Sequence, residues 1–213
     1  MKNSFIIILL LCIALSCTKN STNETDSFLT GNGVFILNEG NFRSGNGSLS
    51  FFSYDSIKVF NNVFLDVNQR PLGDIPYSMS FHGGNAYIVV NNSGKIEVVN
   101  QLSLKSEATI NGLISPRYMA VISDAKAYVS SLYSDSVAII NLFDNSITGY
   151  INLRRSSEAI VIAGDRAYIS NWFGGKEIMV INTANNQVVD SIEVGIEPES
   201  MVLDKNKMLW VLC

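Results

Sequence analysis

Residues 77–100 read YSMSFHGGNAYIVVNNSGKIEVVN. Tyr77, Met79 and Phe81 alternate with serine, the period-two pattern of a half-buried strand. HGGN and NNSG are turn formers, and AYIVV and KIEVVN between them are rich in β-branched residues, so the stretch reads as three short antiparallel strands. SEATI, residues 106–110, supplies a fourth strand ahead of NGLISP.

The same unit recurs downstream. YMAVI, AYVSS, SVAII and ITGYI follow in that order, then EAIVI, AYISN, EIMVI and VVDSIEV, and a further copy opens with SMVLD and MLWVL. The aromatic of each small-aromatic or apolar pair (Ala86-Tyr87, Ala127-Tyr128, Ala167-Tyr168, Leu209-Trp210) comes 41, 40 and 42 positions after the one before. Asn100, Asn141 and Asn182 each close a β-branched run and lie 41 apart, and Met79, Met119, Ile160 and Met201 keep the same phase. A period near 40 residues made of strand signals is that of a β-propeller blade, so the chain is predicted to be all-β, a propeller of four-stranded antiparallel blades.

The first unit is irregular. GVFILNE, GSLSFF and SIKVF give three strands, with no strand signal before them. The chain stops at Cys213 directly after MLWVLC. About four blades are expected here against the roughly 4–8 of propellers in general, so residues 30–213 are read as the N-terminal part of a longer ring.

Of the 213 residues 47% are hydrophobic and 16% charged, and the net charge is −4. This is a globular composition, neither disordered nor basic enough for nucleic acid. The N-terminus is set apart. Lys2 precedes an apolar run of eleven residues, Phe5 to Leu15, too short to span a bilayer as a helix. Ala14-Leu15-Ser16-Cys17 has the form of a bacterial lipobox, so residues 1–16 are expected to be a signal peptide and Cys17 the lipidated first residue of the mature chain. The alternative is an ordinary secretory peptide cut elsewhere. The polar stretch after Cys17, TKNSTNETDS, reads as a tether, making 17–29 an anchor segment. With Cys12 in the signal and Cys17 lipidated, Cys213 has no partner for a disulfide.

Lettering the strands of a blade a to d from the axis outward, the b–c loops and d–a connections share one face. By sequence the b–c loops are 38–47, 91–94, 131–136 and 171–175, and the d–a connections are 72–77, 113–118, 153–158 and 195–200. This face collects Asn41, Phe42, Arg43, Tyr77, Arg117, Tyr118, Tyr133, Arg154, Arg155, Asn171, Trp172 and Phe173. Aromatics and arginines are the residues of binding hot spots, so these are the candidate ligand contacts. Tyr77 and Tyr118 begin innermost strands and fit core packing equally well. Arg154 and Arg155 have only Glu158 as a nearby acidic partner in sequence, and a solvated pair is the other reading. On the opposite face GGN, SDAK, AGDR and DKNK are tight-turn chemistry, which accounts for Asp124, Asp165 and Asp204.

His82, the only histidine, falls in an a–b turn, which leaves no Ser-His-Asp triad or His-rich metal site in these residues. GxSxG, P-loop and CxxC patterns are absent. Glu39, Asp74, Asp135, Glu158 and Glu199 can meet over the axis to bind a cation or to serve as acid and base, but their spacing does not specify it. The composition of the face favours binding over catalysis.

NEGNF, PLGD, HGGNAYIVVNNSGKIEVVN and SPRYMAVISDAKAYVS resemble the YncE-like, surface-layer-type β-propeller lipoproteins of gut Bacteroides, DUF5074-like, from about Gly31 to Cys213. Within that group the resemblance is to the cobalamin-capturing lipoproteins that sit on an outer-membrane vitamin B12 transporter. It implies a seven-bladed ring, an outer-membrane lipid anchor at the cell surface, a corrinoid ligand such as cobalamin, and a TonB-dependent transporter as partner. A surface propeller that binds protein or glycan, and a lactonase-like or lyase-like propeller enzyme, are the alternatives.

Overall fold

A computed structural model describes residues 32–171 and 173–213. The signal peptide, the lipobox with Cys17 and the whole tether lie outside the described residues, as does Trp172. The described chain is all-β apart from one short helix.

Blade 1 holds β1 (Gly33–Asn38), β2 (Ser48–Ser53) and β3 (Lys58–Phe60), followed by α1 (Val63–Asn68). Blade 2 holds β4 (Pro76–His82), β5 (Asn85–Val90), β6 (Lys95–Asn100) and β7 (Ser106–Asn111). Blade 3 holds β8 (Pro116–Ser123), β9 (Lys126–Ser131), β10 (Ser136–Asn141) and β11 (Ser146–Asn152). Blade 4 holds β12 (Ile160–Ala163), β13 (Arg166–Ile169), β14 (Glu177–Asn182) and β15 (Gln187–Glu193). A last hairpin, β16 (Ser200–Leu203) and β17 (Leu209–Leu212), opens the next unit. Strands follow one another in spatial order within each sheet, all antiparallel, the propeller blade expected from the repeat.

The register repeats with the sequence. Met79 pairs with Ile88, Met119 with Val129, Ile160 with Ile169 and Met201 with Val211. A bulge recurs between strands c and d at Val98/Val99, Ile139/Ile140 and Val180/Ile181. Each adds local twist, which lets a four-stranded sheet lean against the next.

The Ala-Tyr pairs fill the core between blades. Successive residues of a strand face opposite sides of the sheet. Ala86 therefore packs toward blade 1 with Ile88, Val90 and Leu49, while Tyr87 packs toward blade 3 with Val98 and Met119. Ala127 and Tyr128 repeat this one blade on. The small residue lets the neighbouring sheet approach, and the large one fills the wider side. Burying each large apolar side chain is worth about 1.5–3 kcal/mol, so these seams carry the fold.

In blade 1, the loop after β1 joins the face that carries the later b–c loops. Gly47 pairs with Gly73 of the following d–a connection, as Gly94 accepts from Leu113 one blade later. β1 is thus the second strand of its blade, as the sequence order suggested. The approach is close: a Cβ on Gly47 would sit 2.1 Å from Cδ of Pro76.

The repeat did not anticipate α1. Val63 and Phe64 read as strand formers, yet they bury under blade 1 as a helical turn. Tertiary burial overrides their propensity.

Candidate functional site

The b–c loops are held from inside. Asn91, Ser131 and Asn171 lie at or just past the end of strand b in blades 2, 3 and 4, and all three are buried. Asn91 Nδ2 donates to Pro116 O at 3.0 Å. Ser131 Oγ donates to Ile114 O and accepts from Ser134 N. Asn171 Oδ1 accepts from Phe173 N at 3.1 Å and from Ser156 Oγ at 3.0 Å. The carboxamide oxygen of Asn171, a candidate contact by sequence, is therefore committed to its own loop and to the adjoining d–a connection. In blade 1 the loop is tied by Asp74, whose Oδ2 accepts from Arg43 N at 2.8 Å and from Asn92 Nδ2 at 2.5 Å. Asn41 N donates to Asn46 Oδ1 at 2.8 Å, while the Asn41 residue itself stays exposed.

On these fixed loops three aromatics stand in solvent. Phe42 is 63% exposed, Tyr133 76% and Phe173 70%. They come from blades 1, 3 and 4 and share the loop face. The Arg43 guanidinium lies 5.1 Å from the centroid of the Phe42 ring. Arg43 and Arg154 both adopt left-handed backbone, with φ of 64° and 59°, and neither is ion-paired among the described residues. Arg155 pairs with Glu177, not with Glu158. The sequence had offered only Glu158 because Glu177, 22 positions on at the start of β14, is close in space alone.

The start of the innermost strands is a single cluster. Tyr77, Arg117 and Glu158 occupy the same repeat position, two residues before Met79, Met119 and Ile160. Arg117 Nε lies 2.9 and 2.8 Å from the two oxygens of Glu158. Its guanidinium carbon is 3.5 Å from the Tyr77 ring centroid, and Tyr77 donates its hydroxyl to Glu158 Oε1 at 3.0 Å. Tyr118 meets Tyr77 edge-on, with centroids 5.4 Å apart. Burial, and next the charge of Glu158, push the Tyr77 phenol well above its ordinary value. Tyr77, Arg117, Tyr118 and Glu158 thus pack one another across blades 2, 3 and 4.

The acidic residues do not converge. Glu158 is taken by Arg117, Asp74 by the blade 1 loop, and Asp135 accepts from Ser136 Oγ at 2.8 Å, while Glu199 is exposed. Among the described residues no group of three or more His, Cys, Asp or Glu is placed to hold a metal ion. On the opposite face Asp204 Oδ1 accepts from the backbone N–H of Asn206 and Met208, the turn role expected of it.

One buried ionic group was missed by sequence reasoning. Glu97 in β6 is fully buried and receives Arg70 Nη2 at 2.5 Å, Lys95 Nζ at 2.9 Å and Ser106 Oγ at 2.5 Å. Its signal was present: a carboxylate inside the apolar run IEVV has to find cations when buried. Arg70, just beyond α1, could not be named as the partner from spacing.

A family model described as "Domain of unknown function (DUF5074)" matches residues 32–212. No curated protein matches the sequence. Solved structures similar to the chain include the extracellular domain of BT3049 from B. thetaiotaomicron, with 13% identity over 85% of this chain and 24% of that one and a TM-score of 0.63. The β-propeller domain of Cps50 (Swd1) from Myceliophteria thermophila follows at 11% identity, 84% and 64% coverage and a TM-score of 0.62. Hydrazine synthase of Kuenenia stuttgartiensis has 22% identity, 62% and 40% coverage and a TM-score of 0.58. The chain spans less than two thirds of each of these proteins. At such identities the likeness establishes the propeller fold alone.

Proposed function

The chain belongs to the DUF5074 family, and from that premise we propose that it is a non-enzymatic, lipid-anchored surface protein that captures a corrinoid, cobalamin in particular, for a TonB-dependent outer-membrane transporter. One observation carries the binding part. Phe42, Tyr133 and Phe173 are exposed at the tips of separate loops on one face, and those loops are pinned by buried polar groups. Preordered aromatics spend little entropy on binding, so the arrangement suits a broad ligand laid across the face. Arg43 and Arg154, without an ion-pair partner among the described residues, suit a phosphodiester or amide oxygens at the rim of such a ligand. The corrinoid and the transporter come from the resemblance of NEGNF, PLGD and HGGNAYIVVNNSGKIEVVN to cobalamin-capturing lipoproteins.

The test is a titration of cyanocobalamin into the wild type and single variants. Tyr133→Ala and Phe173→Ala are expected to weaken binding by about 2 kcal/mol, roughly thirtyfold, with little change in stability. Asp124→Ala and Asp165→Ala, on the opposite face, are expected to bind as the wild type does. Equal affinity in all variants overturns the face. No binding by the wild type overturns the corrinoid and turns attention to protein or glycan ligands. For the anchor, Cys17→Ala is expected to abolish partition of the cell-expressed protein into detergent.

A further inference from the structure

We infer that the cleft between the β1–β2 loop and α1 is a second, separate subsite, built for a small, neutral, flat and mainly apolar ligand. It goes beyond the corrinoid reading and does not rest on it.

The first argument is where the repeat is broken. Strands b and c are joined by residues 91–94, 132–135 and 170–176 in blades 2 to 4, but by 39–47 in blade 1. Strand d reaches the next blade through 112–115, 153–159 and 194–199, but through 61–75 after β3. Four residues suffice to close either connection. The two longest insertions in the described chain therefore lie side by side on the loop face, and they enclose a cleft of about 220 Å³. Insertions that repeat geometry does not need gather on binding faces.

The second argument is the lining. Leu49, Phe64 and Leu72 form a buried apolar floor, Leu65 forms an outer wall, and Asn46 and Asn62 stand at the rim. No lining residue is titratable, so a charged ligand would lose its hydration without a counter-charge. A cavity of about 150 Å³ suffices for benzene, so this volume takes a bicyclic ring. The cleft is preformed, because Gly47 is locked to Gly73 and Asn46 Oδ1 is held by Asn41 N.

The third argument is Asn62. Asparagine is a favoured N-cap residue. Here it precedes α1 with φ of 58°, makes no capping hydrogen bond, and its carboxamide has no partner among the described residues. With no cap to make, its carboxamide offers a donor and an acceptor at the rim of the cleft.

Indole serves as the probe, followed by ligand-observed NMR with the full chain. Saturable binding in the millimolar range is expected for so small a molecule. Leu65→Trp, which fills the cleft from its exposed wall, is expected to lower affinity at least tenfold while unfolding cooperatively like the wild type. Asn62→Gly keeps the left-handed backbone, which glycine adopts as readily, and removes the carboxamide, and is expected to weaken indole severalfold without loss of stability. Indole-2-carboxylate is expected to bind at least tenfold more weakly than indole. Phe173→Ala is expected to leave indole binding unchanged, which separates this cleft from the corrinoid face. Non-saturable behaviour of the wild type, or wild-type affinity in Leu65→Trp, overturns the subsite. Undiminished affinity in Asn62→Gly overturns the part assigned to its carboxamide.

Discussion

Arg117 Nε sits 2.9 and 2.8 Å from the carboxylate oxygens of Glu158, although the two residues are 41 positions apart and belong to adjacent blades. Glu158 is 1% exposed, and the guanidinium is stacked on Tyr77 of a third blade. Three units of the repeat are thereby joined through one ionic contact at the axis.

Removing one partner of this pair leaves the other charge buried and alone. Glu158→Ala is expected to destabilise the protein by about 3–5 kcal/mol. The double variant Arg117→Met with Glu158→Leu is expected to recover most of that loss, because it removes both desolvation costs together. Urea unfolding midpoints of the three proteins check this, and equal loss in single and double variants would refute it.

Glu97 supplies a pH dependence. Burial pushes its carboxyl up, but hydrogen bonds from Arg70, Ser106 and Lys95, with the charge of Lys95, outweigh it and hold the group below its ordinary value of 4.5. A carboxyl that is more acidic when folded contributes stability above its unfolded value and loses it as pH falls through the folded one. The difference in unfolding free energy between wild type and Glu97→Gln is therefore expected to be constant near neutral pH and to shrink progressively below about pH 4.5. Denaturant titrations from pH 7 down to 3 measure it. A difference that grows on acidification would contradict the assignment.

The c–d turns contain a correctable strain. Their fourth residue is left-handed in every blade, with φ of 53° at Ile57, 55° at Leu104, 55° at Asn145 and 59° at Asn186. Asparagine tolerates this conformation, whereas a β-branched residue pays heavily. Ile57 is 78% exposed, so little packing offsets the cost. Ile57→Asn is expected to raise stability by about 1 kcal/mol, read as a higher thermal midpoint.

Much of the arrangement could be read from residues that recur. Ala86-Tyr87 and Ala127-Tyr128 each pack both seams of their blade, and Met79 and Met119 keep one register against strand b. The face shared by Phe42, Tyr133 and Phe173 followed from the same periodicity, since loop position is set by strand count. Arg155 shows the limit: its partner Glu177 belongs to an adjacent strand and carries no sequence signal. Asn171 likewise read as a surface group because nothing local shows that its side chain turns inward to hold Phe173 and Ser156.

The repeated positions, taken alone, determined the blades, their strand order and the face on which the variable loops gather. Each rests on short-range pairing and on the two-residue alternation of a strand, which a linear pattern encodes directly. Only the tertiary structure decided which charges neutralise one another, as Arg117 with Glu158 and Arg70 with Glu97, and that Val63 and Phe64 fold into α1 beside an open cleft. Those outcomes depend on side chains from different blades meeting in a low-dielectric interior. There a buried charge must find whichever partner the packing brings within reach, whatever its distance along the chain.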